Sequence, residues 1–192
     1  MANKIASIRD SGIPRVDAAG FLAACKTGDF VFCQGKYLES RGIEAETGSC
    51  LSHVLTVWRD DWITDWLTLE ATIDRGVHVG LLSDYVNKYD GDLVLCRREV
   101  LSEEQIWRGI DAGLQLLDDK YDVTEEIQMA AHKLLPFLRV DAGRKTLFCS
   151  AYEQRMSVGT GIPLVWTGAG DPTPEDNWRD PTVWPVCALV KS

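Results

Sequence analysis

The chain has 192 residues, of which 45% are apolar and 26% charged, enough to bury a sizeable core in a single domain spanning 1–192. A net charge of -9 and the lack of any basic stripe exclude the electrostatic footprint of a nucleic-acid binder. The same charge disfavours an anionic membrane surface, and a substrate carrying a free amine suits it better.

Residues 1–13 read as a loose lead-in. Val16 to Cys25 places apolar and small residues at helical spacing, with Asp17 as N-cap and Thr27-Gly28 as stop. Phe30-Val31-Phe32-Cys33 is a short apolar strand ended by Gln34-Gly35. Lys36 to Ser49 is polar, broken by Gly42 and Gly48, and reads as a loop. Cys50 to Trp58 is the next strand, with Leu51, His53, Leu55 and Val57 on one face. Arg59-Asp60-Asp61 turns the chain, and Trp66 to Ile73 returns, Leu67, Leu69 and Ala71 alternating with Thr68, Glu70 and Thr72. Trp58, Trp62 and Trp66 also fit a helical stripe, but the interrupting turn and the flanking β-branched residues favour a hairpin.

Val77 to Leu81 is a further strand, Ser83 to Lys88 a short helix, and Leu93 to Arg97 a strand. Ser102-Glu103-Glu104-Gln105 fits a capping box and opens a helix over 103–118. A second helical pattern covers Thr124 to Phe137, where Pro136 ends or kinks it. Thr146-Leu147-Phe148 then runs into Cys149, which begins a third helix to Met156. Gly168 to Pro185 reads as an ordered surface loop, and Val183 to Val190 as a closing strand. Strands, then helices, then a strand imply an α+β fold, an antiparallel sheet packed against helices.

No run approaches the roughly 18 apolar residues of a membrane span, so no stable membrane insertion is expected. Residues 1–29 hold charges throughout rather than the apolar centre of a signal peptide, and the expected location is cytoplasmic. Reduced thiols are then the default for the six Cys.

A thiol attacks as thiolate, which a helix N-terminus and a neighbouring imidazolium both favour. Cys149 sits at a coil-to-helix change. Of the three His, His132 falls on a helical pattern, His78 between two valines, and His53 near a strand entry where it can face a groove. A base needs an orienter, and Glu70 lies among apolar and small residues, an odd place for an unpaired charge. Cys149 as nucleophile, His53 as base and Glu70 as orienter form the candidate set. The rival reading is a buried Cys, a satisfied His and a Glu at the surface.

A resemblance supports the first reading. Gly28-Asp29-Phe30-Val31-Phe32, Ser52-His53-Val54, Leu69-Glu70-Ala71, the strand with Arg97, Tyr121-Asp122 and Phe148-Cys149-Ser150 follow one another in this order. The late Thr173-Pro174-Glu175-Asp176 resembles a Thr-Pro-x-Asp segment. Together, over about Phe21 to Val186, the chain resembles the circularly permuted papain-like amidases, the YiiX and YebB-like branch of the NlpC superfamily. The resemblance implies a papain-like α+β core with His ahead of Cys in the chain, and carries the three roles to Cys149, His53 and Glu70. Two positions depart from the pattern: Phe148 stands where the family often has Tyr, and Ala151 where it often has Glu. A Tyr hydroxyl in the site would come from elsewhere, with Tyr37 and Tyr152 as candidates.

The expected activity is hydrolysis of an amide, in a peptide or peptidoglycan-like substrate or another small molecule. Lipid-ester or acyl-transfer chemistry on the same site, or a silent binding module, are the alternatives. Cys50-x-x-His53 has metal-ligand spacing, but zinc normally takes four such ligands, and no metal or cofactor is expected. Neither Gly159-Thr160-Gly161 nor Gly168-Ala169-Gly170 is a phosphate loop, since no Lys-Ser/Thr follows.

Overall fold

Runs of aliphatic, β-branched and aromatic residues pair into one sheet. The computed structural model describes residues 6–36, 49–60, 62–72, 74–117, 149–166 and 172–191. Its strands are β1 (Asp29–Gly35), β2 (His53–Trp58), β3 (Leu67–Thr72), β4 (Gly76–Leu81), β5 (Gly91–Arg97) and β6 (Trp184–Leu189). They lie in the order β4-β3-β2-β1-β5-β6, and every pairing is antiparallel. The helices are α1 (Ala18–Ala24), α2 (Leu82–Lys88), α3 (Glu103–Leu114), α4 (Cys149–Gly159) and α5 (Pro174–Trp178).

Side chains alternate across the strands, and both sets are buried. Val31, Cys33, Leu55, Val57, Leu93 and Leu95 pack with Phe21 of α1 and Leu82 and Val86 of α2. Phe30, Phe32, Val54, Val94 and Cys96 form a second cluster with Trp178 of α5, whose ring meets Phe32 edge-on at 5.6 Å. Leu69 and Ala71 meet Ile110 of α3 and Ala151, Tyr152 and Met156 of α4. Helices on both faces explain why Phe30-Val31-Phe32-Cys33 reads as a continuous apolar run.

Local chemistry starts and stops these elements. Asp17 caps α1, its Oδ1 accepting the Gly20 N–H at 2.7 Å. Ser102 and Gln105 form the capping box of α3 in both directions. Gly28 turns the chain into β1 at φ +88°, and a Cβ there would lie 2.5 Å from Ile106 Cγ2. Arg97 on β5 donates through Nε and Nη2 to Asp29, both at 2.7 Å, and to the Ala24 carbonyl at 2.9 Å, tying β5 to β1 and to the end of α1.

Two stretches differ from the sequence reading, and the expected β2–β3 hairpin is present. In the lead-in, Ile8 is 1% exposed in the core and Arg9 pairs with Asp92 at 2.7 Å, so residues 6–13 are anchored. The expected loop 168–185 contains α5, because Thr173 and Asp176 form a capping box and Pro174 occupies the first turn. Trp58 and Trp66 flank the β2–β3 hairpin, while Trp62 at its turn is 92% exposed. The helical pattern 124–137 with His132, the polar stretch 37–48 with Tyr37, Tyr121-Asp122 and Phe148 lie outside the described residues. Among the described residues no helix is long and apolar enough to cross a membrane.

Candidate active site

A carboxylate inside a protein is costly unless its oxygens are occupied. Glu70, in β3, is 2% exposed, and both its oxygens have partners. Oε1 accepts the Thr68 hydroxyl at 2.8 Å. Oε2 accepts the Tyr85 hydroxyl from α2 and lies 3.1 Å from His53 Nε2. His78, directly across on β4, brings its Nε2 to 3.7 Å from Oε1. Burial pushes the Glu70 carboxyl up, but His53, Tyr85 and Thr68 together outweigh it and hold it below its ordinary value. Gly80 makes room for this arrangement: a Cβ there would lie 2.6 Å from Thr68 Oγ1 and 2.8 Å from Glu70 Oε1.

His53 is the first residue of β2, so its ring stands at a strand end. It stacks on Tyr85 with ring planes 7° apart and centroids at 6.1 Å. Cys149 lies close enough to act on its charge. Burial lowers the His53 pKa, but Cys149, then Glu70, outweigh it and raise it to about 10.

Cys149 is the first described residue of α4 and is 4% exposed. The start of that helix is braced from α5. The Ser150 hydroxyl donates to the Pro172 carbonyl, and Asn177 Nδ2 donates to the Ser150 carbonyl at 3.1 Å. Ser49 in turn donates to Glu175 of α5. One turn along α4, Glu153 is fully buried and accepts the Thr56 hydroxyl at 2.6 Å. Burial lifts its carboxyl to about 8 against the opposing pull of Thr56 and His53.

Four other thiols are held protonated. Burial pushes Cys25 up to about 12, and raises Cys33, Cys96 and Cys187 above the ordinary thiol value. Cys25, Cys33, Cys96, Cys149 and Cys187 are free thiols.

The fold therefore brings Cys149, His53 and Glu70 together from α4, β2 and β3. Among solved structures the chain is similar to the crystal structure of the metalloprotein YiiX from Escherichia coli O157:H7. The TM-score is 0.52 and the identity 20%, over 87% of this chain and 97% of that one. It has the YiiX fold. The six-stranded antiparallel sheet with its helices is consistent with a permuted papain-like, α+β architecture. No family model matches the chain, and no curated protein does.

Sequence reasoning missed Tyr85 and His78. His78 was legible in principle, because period-two alternation in β4 sets it opposite Glu70. Tyr85 had no local signal; α2 packing delivers it. The hydroxyl on Glu70 thus comes from Tyr85, whereas the Tyr152 hydroxyl is buried without a partner among the described residues. Trp58 packs edge-on against Trp107, and Trp66 donates to the Leu22 carbonyl at 3.1 Å, so both serve packing. Among the described residues no three His, Cys, Asp or Glu side chains converge to hold a metal ion.

Proposed function

We propose that the chain is a cysteine hydrolase that cleaves an amide through an acyl-enzyme, with Cys149 as nucleophile, His53 as acid and base, and Glu70 as the group that orients and charges His53. The supporting observation is a single imidazole held between the thiol at a helix start and a buried, multiply donated carboxylate.

The reaction follows from this arrangement. Proton transfer from Cys149 to His53 gives a thiolate–imidazolium pair, stabilised by Glu70. The thiolate adds to the substrate carbonyl, and its oxygen gains the negative charge, which backbone N–H groups such as that of Cys149 would stabilise. The C–N bond breaks as His53 gives its proton to the departing amine, leaving a thioester. Neutral His53 then takes a proton from water, hydroxide adds to the thioester, and the C–S bond breaks to release acid and thiolate.

The acidic chain suits a small-molecule or peptide substrate with a free amine. A lipid ester would use the same steps with an alcohol as leaving group. YiiX is named a metalloprotein, but among the described residues no three metal-ligating side chains converge, and no step of this reaction is routed through a metal.

The test is a panel of peptide amides, muropeptides and lipid esters, read by intact mass for acyl-enzyme. An adduct on Cys149 that is absent in His53→Ala supports the proposal. Turnover that survives Cys149→Ala contradicts it.

A further inference from the structure

Of the two imidazoles around Glu70, His78 is the one that the proposed reaction does not use. It lies on β4, across from Glu70, and its side chain is 13% exposed. Its ring orientation is fixed by Nδ1, 3.0 Å from the Gly76 carbonyl. A carbonyl oxygen only accepts, so Nδ1 carries the proton. The neutral ring then has only a lone pair at Nε2, and that atom faces Glu70 Oε1 at 3.7 Å. Two acceptors face each other there. Only the imidazolium form offers Glu70 a proton and a positive charge.

Glu70 is thus shared by two imidazoles, His53 at Oε2 and His78 at Oε1. The two rings differ in access. His53 lies close to Cys149, whereas His78 borders a polar cleft of about 210 Å³. The titratable groups in that cleft are Glu70 from β3, Asp74 and Arg75 from the turn before β4, and Asp84 and Tyr85 from α2. Asp84 is itself paired with Lys88 at 2.7 Å, and the Tyr85 hydroxyl is committed to Glu70. Glu70 is the acceptor closest to His78 Nε2 that also serves the thiol site.

We propose that His78 is a positioning residue that competes with His53 for the Glu70 carboxylate, so that a proton taken up at His78 weakens the His53–Cys149 pair. This rests on the thiol reading above and assigns its regulation. Protonated His78 draws on the same carboxylate charge that stabilises the His53 imidazolium. His53 then holds its proton less firmly, and the pair shifts back toward thiol and neutral imidazole. Loss of the proton from His78 returns the full carboxylate charge to His53. The site is damped in acid and released as the cleft deprotonates.

The experiment is the rate of Cys149 alkylation by iodoacetamide on the full chain, read by peptide mass spectrometry, in the native protein, H78Q and H53A. The range runs from about pH 4 to about pH 9, across which imidazoles change charge. The native acid limb should be steeper than that of H78Q, which should react about three- to tenfold faster at the acid end, a shift of roughly half to one pH unit. Superimposable profiles, or a constant slowing of H78Q at every pH, overturn the role of His78 while leaving the thiol reading intact. Alkylation of Cys149 no faster than that of Cys33, unchanged in H53A, overturns both. A readout that needs no variant is the NMR titration of isotope-labelled histidines in the native protein. The His53 ring should show a second inflection where His78 titrates, and a single inflection contradicts the coupling.

Discussion

Glu70 is where the candidate site is most sensitive to single atoms. Thr68 and Tyr85 donate neutral hydroxyls to it, and His53 meets it with a ring nitrogen. Tyr85→Phe keeps the ring stacked on His53 and removes only the hydroxyl, a hydrogen bond to a charged group worth about 1.5–3 kcal/mol. Cys149 alkylation near neutral pH should fall about tenfold in that variant, and further in Glu70→Gln. The pH dependence of stability has a defined sign. The folded His53 pKa is raised to about 10, so its contribution is complete below the ordinary imidazole value and is lost as pH rises toward about 10. The Tm advantage of the native protein over His53→Gln should therefore shrink across that window, in thermal melts at constant ionic strength. Glu70 has the opposite sign: its lowered pKa gives stability that is lost as pH falls through the folded value. At this scale Cys149, His53 and Glu70 were singled out from their order along the chain, and the fold sets them near one another. Tyr85 was not, because its role exists only once α2 is docked beside β3, and His78 was legible only as an alternating position of β4.

Elements position these atoms through close approaches that a single methyl group disturbs. Gly80 on β4 leaves the space in which Thr68 and Glu70 sit. Gly80→Ala should break the Thr68–Glu70 hydrogen bond and slow Cys149 alkylation, while circular dichroism stays native-like. An unchanged rate would show that the carboxylate does not depend on that gap. At the start of β1, Asp29 is 1% exposed and neutralised by Arg97. Asp29→Asn leaves the guanidinium without its charge partner and should cost about 3 kcal/mol, measured by urea unfolding. Most strands were legible because β-branched and aliphatic runs end at clear turns. The alternation within them was blurred, since helices cover both faces and polar positions such as Thr56 and Thr68 are buried too. α5 was hidden by a Gly-, Pro- and Asp-rich neighbourhood, although Thr173-Pro174-Glu175-Asp176 carries a capping box that marks a helix start.

Across the whole molecule, one strand end, one neighbouring strand and one helix start converge although they lie far apart in sequence. His53 and Glu70 are 17 residues apart, and Cys149 follows after four further elements of the described chain, β4, α2, β5 and α3. The α+β class followed from the order of patterns, and the permuted arrangement from the order of short motifs. The convergence itself depends on antiparallel register and on α4 packing across β2 and β3, which no local pattern encodes. The central claim is that this convergence makes Cys149 a nucleophile driven by His53. The most direct measurement is competitive labelling of all six Cys with a limiting thiol-reactive probe at about neutral pH, in the native protein and in His53→Ala. The account predicts that Cys149 is labelled first, by at least about tenfold over Cys33 and Cys96, and that His53→Ala removes this preference. Labelling of Cys149 no faster than the buried thiols, or a preference unchanged by His53→Ala, would contradict it.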